Sequence, residues 1–372
     1  MSSIQIDRTP SPGSTTHTRM PIPSARGPVS ELLIALLSGS DGNLAAFTAA
    51  ARGCAEEHHD GTSILFDDDA QLSLTLLYEL HLQGLAGVPD EWEWNLDLLA
   101  GRAALESSFE AAVRTIVADQ QVADQQLEAD DVVSQLWAMT APSTGPSMSK
   151  FMATDATAQQ FQEVLIHRSL NQLRESDVHT LGIPRLAGAP KAALVEVQAD
   201  EYGGGRLERM HSTLFANTMR ELGLSDRYAH YLDVVPAVTL ASLNVLSLFG
   251  LHRRLLGALI GHLCAVETTS SLPSKNYSAG LRRLGFSRQA TLFYDEHVEA
   301  DSVHEQIAVR DLAGKLAEQD PSTGSDIMLG AASCLAFDDL LAEHITGCWD
   351  RGETSLRSSS TSRGSSSNSR VS

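Results

Sequence analysis

Aromatic residues are scarce in this chain, at 5% of 372 positions. No segment sustains the apolar–polar alternation of β-branched residues that marks a half-buried strand. Both shortages argue against a sandwich or a barrel. Cysteine is scarcer still. Cys54, Cys264, Cys334 and Cys348 are widely separated and form no CxxC pair, which excludes a disulfide framework and a cysteine-rich zinc module. Basic residues are also short, with 27 Lys and Arg against 47 Asp and Glu. The ends hide part of the imbalance: residues 1–28 carry three Arg and one Asp, and residues 351–372 carry four Arg and one Glu. The body between them therefore holds 20 basic and 45 acidic residues. Such a surface repels phosphate backbones, so no nucleic-acid partner is expected. Long apolar runs are missing too. The N-terminus has no apolar signal-peptide core. The one uncharged stretch near span length, Val234 to His252, contains Thr239, Ser242, Asn244 and Ser247. It reads as a buried core helix, with no membrane partner. A cytoplasmic protein with reduced thiols is expected.

What is abundant is Ala and Leu, which favours helix. Residues 1–28 are rich in Ser, Thr and Pro, and residues 353–372 are a Ser/Arg tail; both are expected to be disordered. Helical periodicity appears at Val29–Leu37, Asn43–Cys54, Ala70–Leu85, Asn95–Val117 and Asp130–Met139. These form an N-terminal helical region, residues 29–149, that closes with the turn-rich linker Thr140–Ser149. A second unit, residues 150–352, shows further candidates at Ala156–Glu175, Lys191–Tyr202, Leu207–Leu222, Asp226–Leu232, Ala237–Phe249, Leu255–Ser270, Gln289–Leu316 and Ser325–Trp349. Pro184, Pro190, Pro236 and Pro273 punctuate them. The fold class is all-α.

The richest stretch is DEHVEADSVHE, Asp295 to Glu305. His297, Asp301 and His304 stand at i, i+4 and i+7. At ~100° per residue they span about 60° of one helical face, half of a metal site. A solvated acidic face is the bland alternative, and Glu296, Glu299 and Glu305 fit it. The second stretch is DEYGGGRLERMH, Asp200 to His211. Three consecutive glycines imply a break between Glu201 and His211, because each costs about 1 kcal/mol in a helix. Without a preceding strand or a Lys–Ser/Thr pair, this is no phosphate loop. Glu267 ends a helix otherwise free of acids, and Glu175 lies near the end of another. A buried carboxylate is costly unless paired or metal-bound.

Together, Glu175, Glu201, His211, Glu267, His297, Asp301 and His304 supply four carboxylates and three imidazoles. Four negative charges match two divalent ions. Mixed carboxylate and imidazole ligation suits iron or manganese rather than a thiolate-loving metal. A ferritin-like arrangement would instead use two Glu-x-x-His pairs. Glu56–His59 and Glu208–His211 have that spacing, but they leave the His297 stripe without a role. Arg185, His179, Asn244, His252 and Lys275 lie near these segments, with packing or surface roles favoured over substrate contact. Tyr202 and Tyr294 flank candidate ligands, with core packing favoured. No flavin or nicotinamide motif is visible.

At these residues the chain resembles the haem-oxygenase-like di-iron oxidases and oxygenases, the "iron-containing redox enzyme" family, over about residues 150–350. The ordered pattern Glu, Glu, ten positions to His, a later Glu, then His-x-x-x-Asp-x-x-His is closest to that of an N-oxygenating branch. It falls on the seven residues named above. The resemblance implies a bundle of about seven core helices and a cofactor of two Fe, cycling between Fe2+ and Fe3+. It implies O2 as co-substrate, a peroxo-diferric intermediate and an external reductant, with a ferredoxin-type donor as partner. It implies oxidation of a small molecule (an amine, amino acid or fatty acid) by N-hydroxylation, desaturation or C–C cleavage. A homodimer formed through the extra N-terminal helices is expected. Two other readings compete: a non-catalytic metal-binding scaffold, and a metal-free, thiaminase-like enzyme using Cys264.

Overall fold

The computed structural model describes residues 19–40, 42–59, 61–118, 127–142 and 147–358, without the side chains of 299–303. The helices are α1 Pro28–Leu37, α2 Leu44–Glu57, α3 Asp68–Glu79, α4 Leu96–Ile116, α5 Ala129–Met139, α6 Met148–Thr154, α7 Ala158–Gln172 and α8 Asp177–Thr180. They continue with α9 Gly188–Glu201, α10 His211–Glu221, α11 Ala237–Leu251, α12 Leu256–Thr269, α13 Ser271–Arg283, α14 Arg288–Gln306, α15 Lys315–Gln319 and α16 Gly324–Asp350. No strand occurs among the described residues. An isolated bridge joins Met20 to Leu85.

Local chemistry sets many of these boundaries. Asn43, Asp67, Asn95, Ser147 and Thr157 each cap the helix that follows by accepting a first-turn backbone N–H. Three readings of the sequence are corrected. Asp226–Leu232 is a set of turns rather than a helix, with Ala229 at φ 56°. The candidate Ala70–Leu85 ends at Glu79, because the chain turns to reach Gly84 at φ 75°. Ser271–Arg283 is a helix that Pro273 concealed; in the first turn, proline gives up no intrahelical hydrogen bond.

The ordered chain is also wider than expected at both ends. Met20 is fully buried, and Arg26 pairs with Asp68 at 3.0 Å. Ser355 is buried, and its hydroxyl donates to Glu163 at 2.7 Å. Residues 1–18 and 359–372 lie outside the described residues.

A close approach between α12 and α16 fixes one wall of the bundle. A Cβ at Gly261 would stand 1.8 Å from the Ile327 carbonyl oxygen, and one at Gly330 would stand 1.9 Å from that of Ala258. Only glycine permits two backbones to come this near. Glu267 rides on α12, so this contact helps set its depth. The long apolar α11 packs against α3. Its Asn244 is fully buried and donates to the Gln71 carbonyl at 2.9 Å, while Thr75 donates to Asn244 at 3.0 Å. Asn244 is thus a fastening between the N-terminal helices and the rest. A second fastening is the buried pair Arg174–Glu79 at 2.9 Å. No single described helix is long and apolar enough to cross a membrane, although α11 and α12 pass together as a pair bent by 105°.

Replacing Gly261 by Leu is expected to destabilise the protein by at least about 3 kcal/mol, the upper range for overpacking a core. Chemical denaturation would measure it, and a cost below 1 kcal/mol would mean that α12 and α16 do not approach this closely.

Candidate metal centre

The polar positions singled out in the sequence converge inside the bundle. Glu175 sits in the turn after α7, and Glu201 is the last residue of α9. His211 is the first of α10, Glu267 lies near the end of α12, and His297 and His304 lie on α14. Asp301 is on the same helix, and its side chain lies outside the described residues.

The six form two neighbouring groups. Glu175, His211 and His297 offer ligand atoms within 4.8 Å of one another, and so do Glu201, Glu267 and His304. Glu201 Oε2 lies 3.0 Å from His211 Nδ1, so it stands between the two groups. His297 Nε2 is 3.7 Å from Glu175 Oε1, and His304 Nδ1 is 3.4 Å from Glu267 Oε2. The His211 and His297 rings lie 4.4 Å apart, centroid to centroid.

The backbone explains this convergence. Gly203, Gly204 and Gly205 all take left-handed φ, at 64°, 60° and 79°. They break the chain after Glu201 and return it to start α10 at His211. At Gly203 a Cβ would meet the Arg209 carbonyl carbon at 2.6 Å. Ser176 is also left-handed, at φ 72°, an uncommon state for a residue with a side chain. That turn directs Glu175 inward, while the Ser176 hydroxyl donates to Glu201 at 3.0 Å. Just beyond His304, the helix widens into a π-helical stretch, Ile307–Gly314. Such widenings occur frequently at functional sites.

Two imidazoles are oriented from behind. His297 Nδ1 hydrogen-bonds the Phe293 carbonyl at 2.7 Å, which turns Nε2 toward Glu175. His304 Nε2 hydrogen-bonds Asp200 at 2.9 Å, which turns Nδ1 toward Glu267. Metal-binding histidines are held in this way, with one nitrogen committed and the other presented. Asp200 was missed from sequence because, unlike Glu201, it is exposed; only its position beside Glu201 hinted at a role.

The charges balance across the groups. Burial disfavours the His297 imidazolium, but the nearby Glu175 carboxylate, with the Glu201 charge and the Phe293 carbonyl, outweighs it and pushes its pKa up to about 10. The Glu267 carboxylate, opposed by burial and reinforced by Asp200, pushes His304 up to about 9. Burial works against the Glu201 carboxylate, yet His211, His297 and Ser176 hold it down at about 2. Glu267 is raised, by burial first and by the Glu201 charge as well.

Two atoms are left over. Glu175 Oε2 and His211 Nδ1 are buried without a hydrogen-bond partner, although they face each other at 4.0 Å. The nearer contact of His211 Nδ1 is with Glu201 Oε2, at 3.0 Å, and is an ion-pair contact. An unsatisfied buried polar group costs ~1–3 kcal/mol. A cation between them would satisfy both, so the donor set fits a metal.

Residues 162–339 match the iron-containing redox enzyme family. Every candidate ligand, Asp301 included, falls within that stretch. The match and the all-α architecture together give a redox enzyme on a haem-oxygenase-like fold. No curated protein matches the chain.

The alternatives weighed from sequence fare less well. Glu208, Glu56 and His59 are exposed, so the paired Glu-x-x-His arrangement does not assemble. Cys264 is fully buried and donates its thiol to the Ala308 carbonyl at 3.1 Å. Burial and Glu267 push that thiol up, the reverse of an activated nucleophile. Arg185 donates to the Gly250 and Leu251 carbonyls at the end of α11, and His252 meets Glu106 at 2.9 Å. Both act in packing. His179 hydrogen-bonds His262 at 3.2 Å, in a buried pair. Tyr202 donates to Asp177 at 2.8 Å, and Tyr294 stacks on Tyr277.

Two outcomes follow. In protein stripped of metal, the stability contributed by His297 and His304 is fully present below pH 6.5 and is lost as pH rises through about 9 and about 10. The Glu201 contribution is fully present above pH 4.5 and is lost as pH falls through about 2. Melting temperature should therefore decline from pH 6.5 to 10. Added iron should reverse that slope, because ligation requires unprotonated imidazole; a profile that metal leaves unchanged would count against these histidines as ligands. Separately, Asp200→Ala should weaken iron binding about 10–100-fold, as loss of such a supporting carboxylate does elsewhere. Equilibrium titration would measure it, and an unchanged affinity would remove Asp200 from the centre.

Proposed function

We propose that this protein is a non-haem di-iron oxidase or oxygenase that activates O2 to oxidise a small molecule. The observation that carries the reading is the convergence of three carboxylates and three imidazoles with two facing, unsatisfied ligand atoms, Glu175 Oε2 and His211 Nδ1. Glu175, His211 and His297 would hold one ion, and Glu201, Glu267 and His304 the other, with Asp301 as a further ligand on α14. When bound, two ferrous ions supply electrons to O2.

The chain's own residues do the rest. Glu201 belongs to one group and lies 3.0 Å from His211 of the other, so its carboxylate would serve between them. The Phe293 carbonyl keeps the His297 proton on Nδ1, and Asp200 keeps the His304 proton on Nε2, so the opposite nitrogens face inward. Asp200 is exposed while His304 is buried, so Asp200 joins the centre to solvent. Substrates in this reading are amines, amino acids or fatty acids, and the reaction is N-hydroxylation, desaturation or C–C cleavage. Electrons arrive from an external reductant, a ferredoxin-type donor, and the working unit is a homodimer.

The test is anaerobic loading with ferrous ion followed by rapid mixing with O2. About two irons per chain, a transient visible band and O2 uptake are expected, all lost in a His297→Ala, His304→Ala double variant. Iron binding that raises the melting temperature without O2 uptake would leave a structural metal and defeat the oxygenase reading.

A further inference from the structure

A second group of ligating side chains stands where α2 meets α3, in elements that hold none of the iron ligands. Cys54 lies in the last part of α2, His58 is the residue that ends it, and Asp67 caps the start of α3. One ligand atom from each lies within 4.8 Å of the other two. His58 Nε2 is 3.3 Å from Asp67 Oδ2.

Each of the two polar ligands has one side committed and one side presented. His58 Nδ1 shares a hydrogen bond with Ser63 Oγ at 2.7 Å, which fixes the ring and turns Nε2 toward Asp67. Asp67 Oδ1 accepts the Ala70 N–H at 2.7 Å as the cap of α3, which leaves Oδ2 for the cluster. Supporting contacts of this kind are how proteins hold metal ligands in position. Burial, with the charges of Asp67, Asp69 and Glu57, pushes the Cys54 thiol up to about 12; the same carboxylates favour a cation, whose binding would displace the thiol proton. The group is half-buried, so an ion can enter from solvent.

We propose that Cys54, His58 and Asp67 form a separate mononuclear site for a divalent cation of the zinc class. One sulfur, one imidazole nitrogen and one carboxylate oxygen are all zinc ligands, and three protein ligands leave a fourth position for water or an added ligand. Thiolate sulfur separates this site from the iron centre, which has none. The ion would join the end of α2 to the start of α3 and close the turn between them. It would also sit at one end of a helix whose other end is tied to the iron region. From Asp67 to Glu79 is about 18 Å of helix, and Glu79 pairs with Arg174, the neighbour of Glu175.

Cobalt(II) titrated into the full chain tests this. A near-ultraviolet thiolate-to-cobalt charge-transfer band is expected, with intense visible bands of tetrahedral cobalt. Cys54→Ser should abolish the charge-transfer band. Asp67→Asn keeps a good cap on α3, so the fold should survive while cobalt affinity falls about tenfold or more. The His297→Ala, His304→Ala double variant should keep the band. The other three cysteines are buried, so a thiol reagent reports on Cys54, and zinc should slow that modification. The absence of a charge-transfer band in protein with native helical circular dichroism would overturn the proposal. So would a band that survives Cys54→Ser, or modification at a rate indifferent to zinc.

Discussion

A carboxylate cannot be buried alone. Taking an ion out of water costs several kcal/mol even after relaxation, and a partner repays this only with good geometry. Glu201 and Glu267 are buried, and Glu175 lies beside them. The surrounding architecture answers that constraint. Histidines from α10 and α14 are brought against them, the Ser176 hydroxyl is turned onto Glu201, and Asp200 is placed behind His304. The balance is still incomplete, because Glu175 Oε2 and His211 Nδ1 face each other without a hydrogen bond. Divalent metal ions are the simplest completion, and they fit the redox family that residues 162–339 match.

The same constraint accounts for the local backbone. Inward-facing polar groups on straight, separate helices would not meet. The left-handed turn at Ser176 and the three left-handed glycines bring Glu175, Glu201 and His211 within reach of α14. Backbone states of this kind are costly and persist only where surrounding packing enforces them. Here that packing includes the glycine-to-carbonyl approach of α12 and α16, which leaves little freedom for the helix carrying Glu267.

The N-terminal helices are joined to this centre by buried polar contacts rather than by apolar packing alone. Arg174 donates to Glu79 and lies over the Tyr228 ring, and it immediately precedes Glu175. A charged pair with both side chains almost fully buried fixes register more than it adds stability, since its desolvation offsets most of its attraction. Movement of α3 would therefore be felt at Glu175. One short helix thus joins the turn that bears Cys54, His58 and Asp67 to the candidate metal centre.

Most of the helices were legible from sequence, because apolar periodicity and capping residues are local. So was the stripe of His297 and His304, since a helical face follows from spacing alone. The glycine run announced a break for the same reason: its cost does not depend on the partner. Three things were not local. Pro273 looks like an interruption until its first-turn position is known. Asp200 is an unremarkable exposed acid until His304 comes to lie 2.9 Å from it. Cys54, His58 and Asp67 look like parts of a polar surface turn until α2 and α3 fold against each other. Sequence determined which residue types were available and on which helical faces. Tertiary structure decided which faces meet, because the contacts that bury a charge or present a ligand atom join residues far apart in the chain.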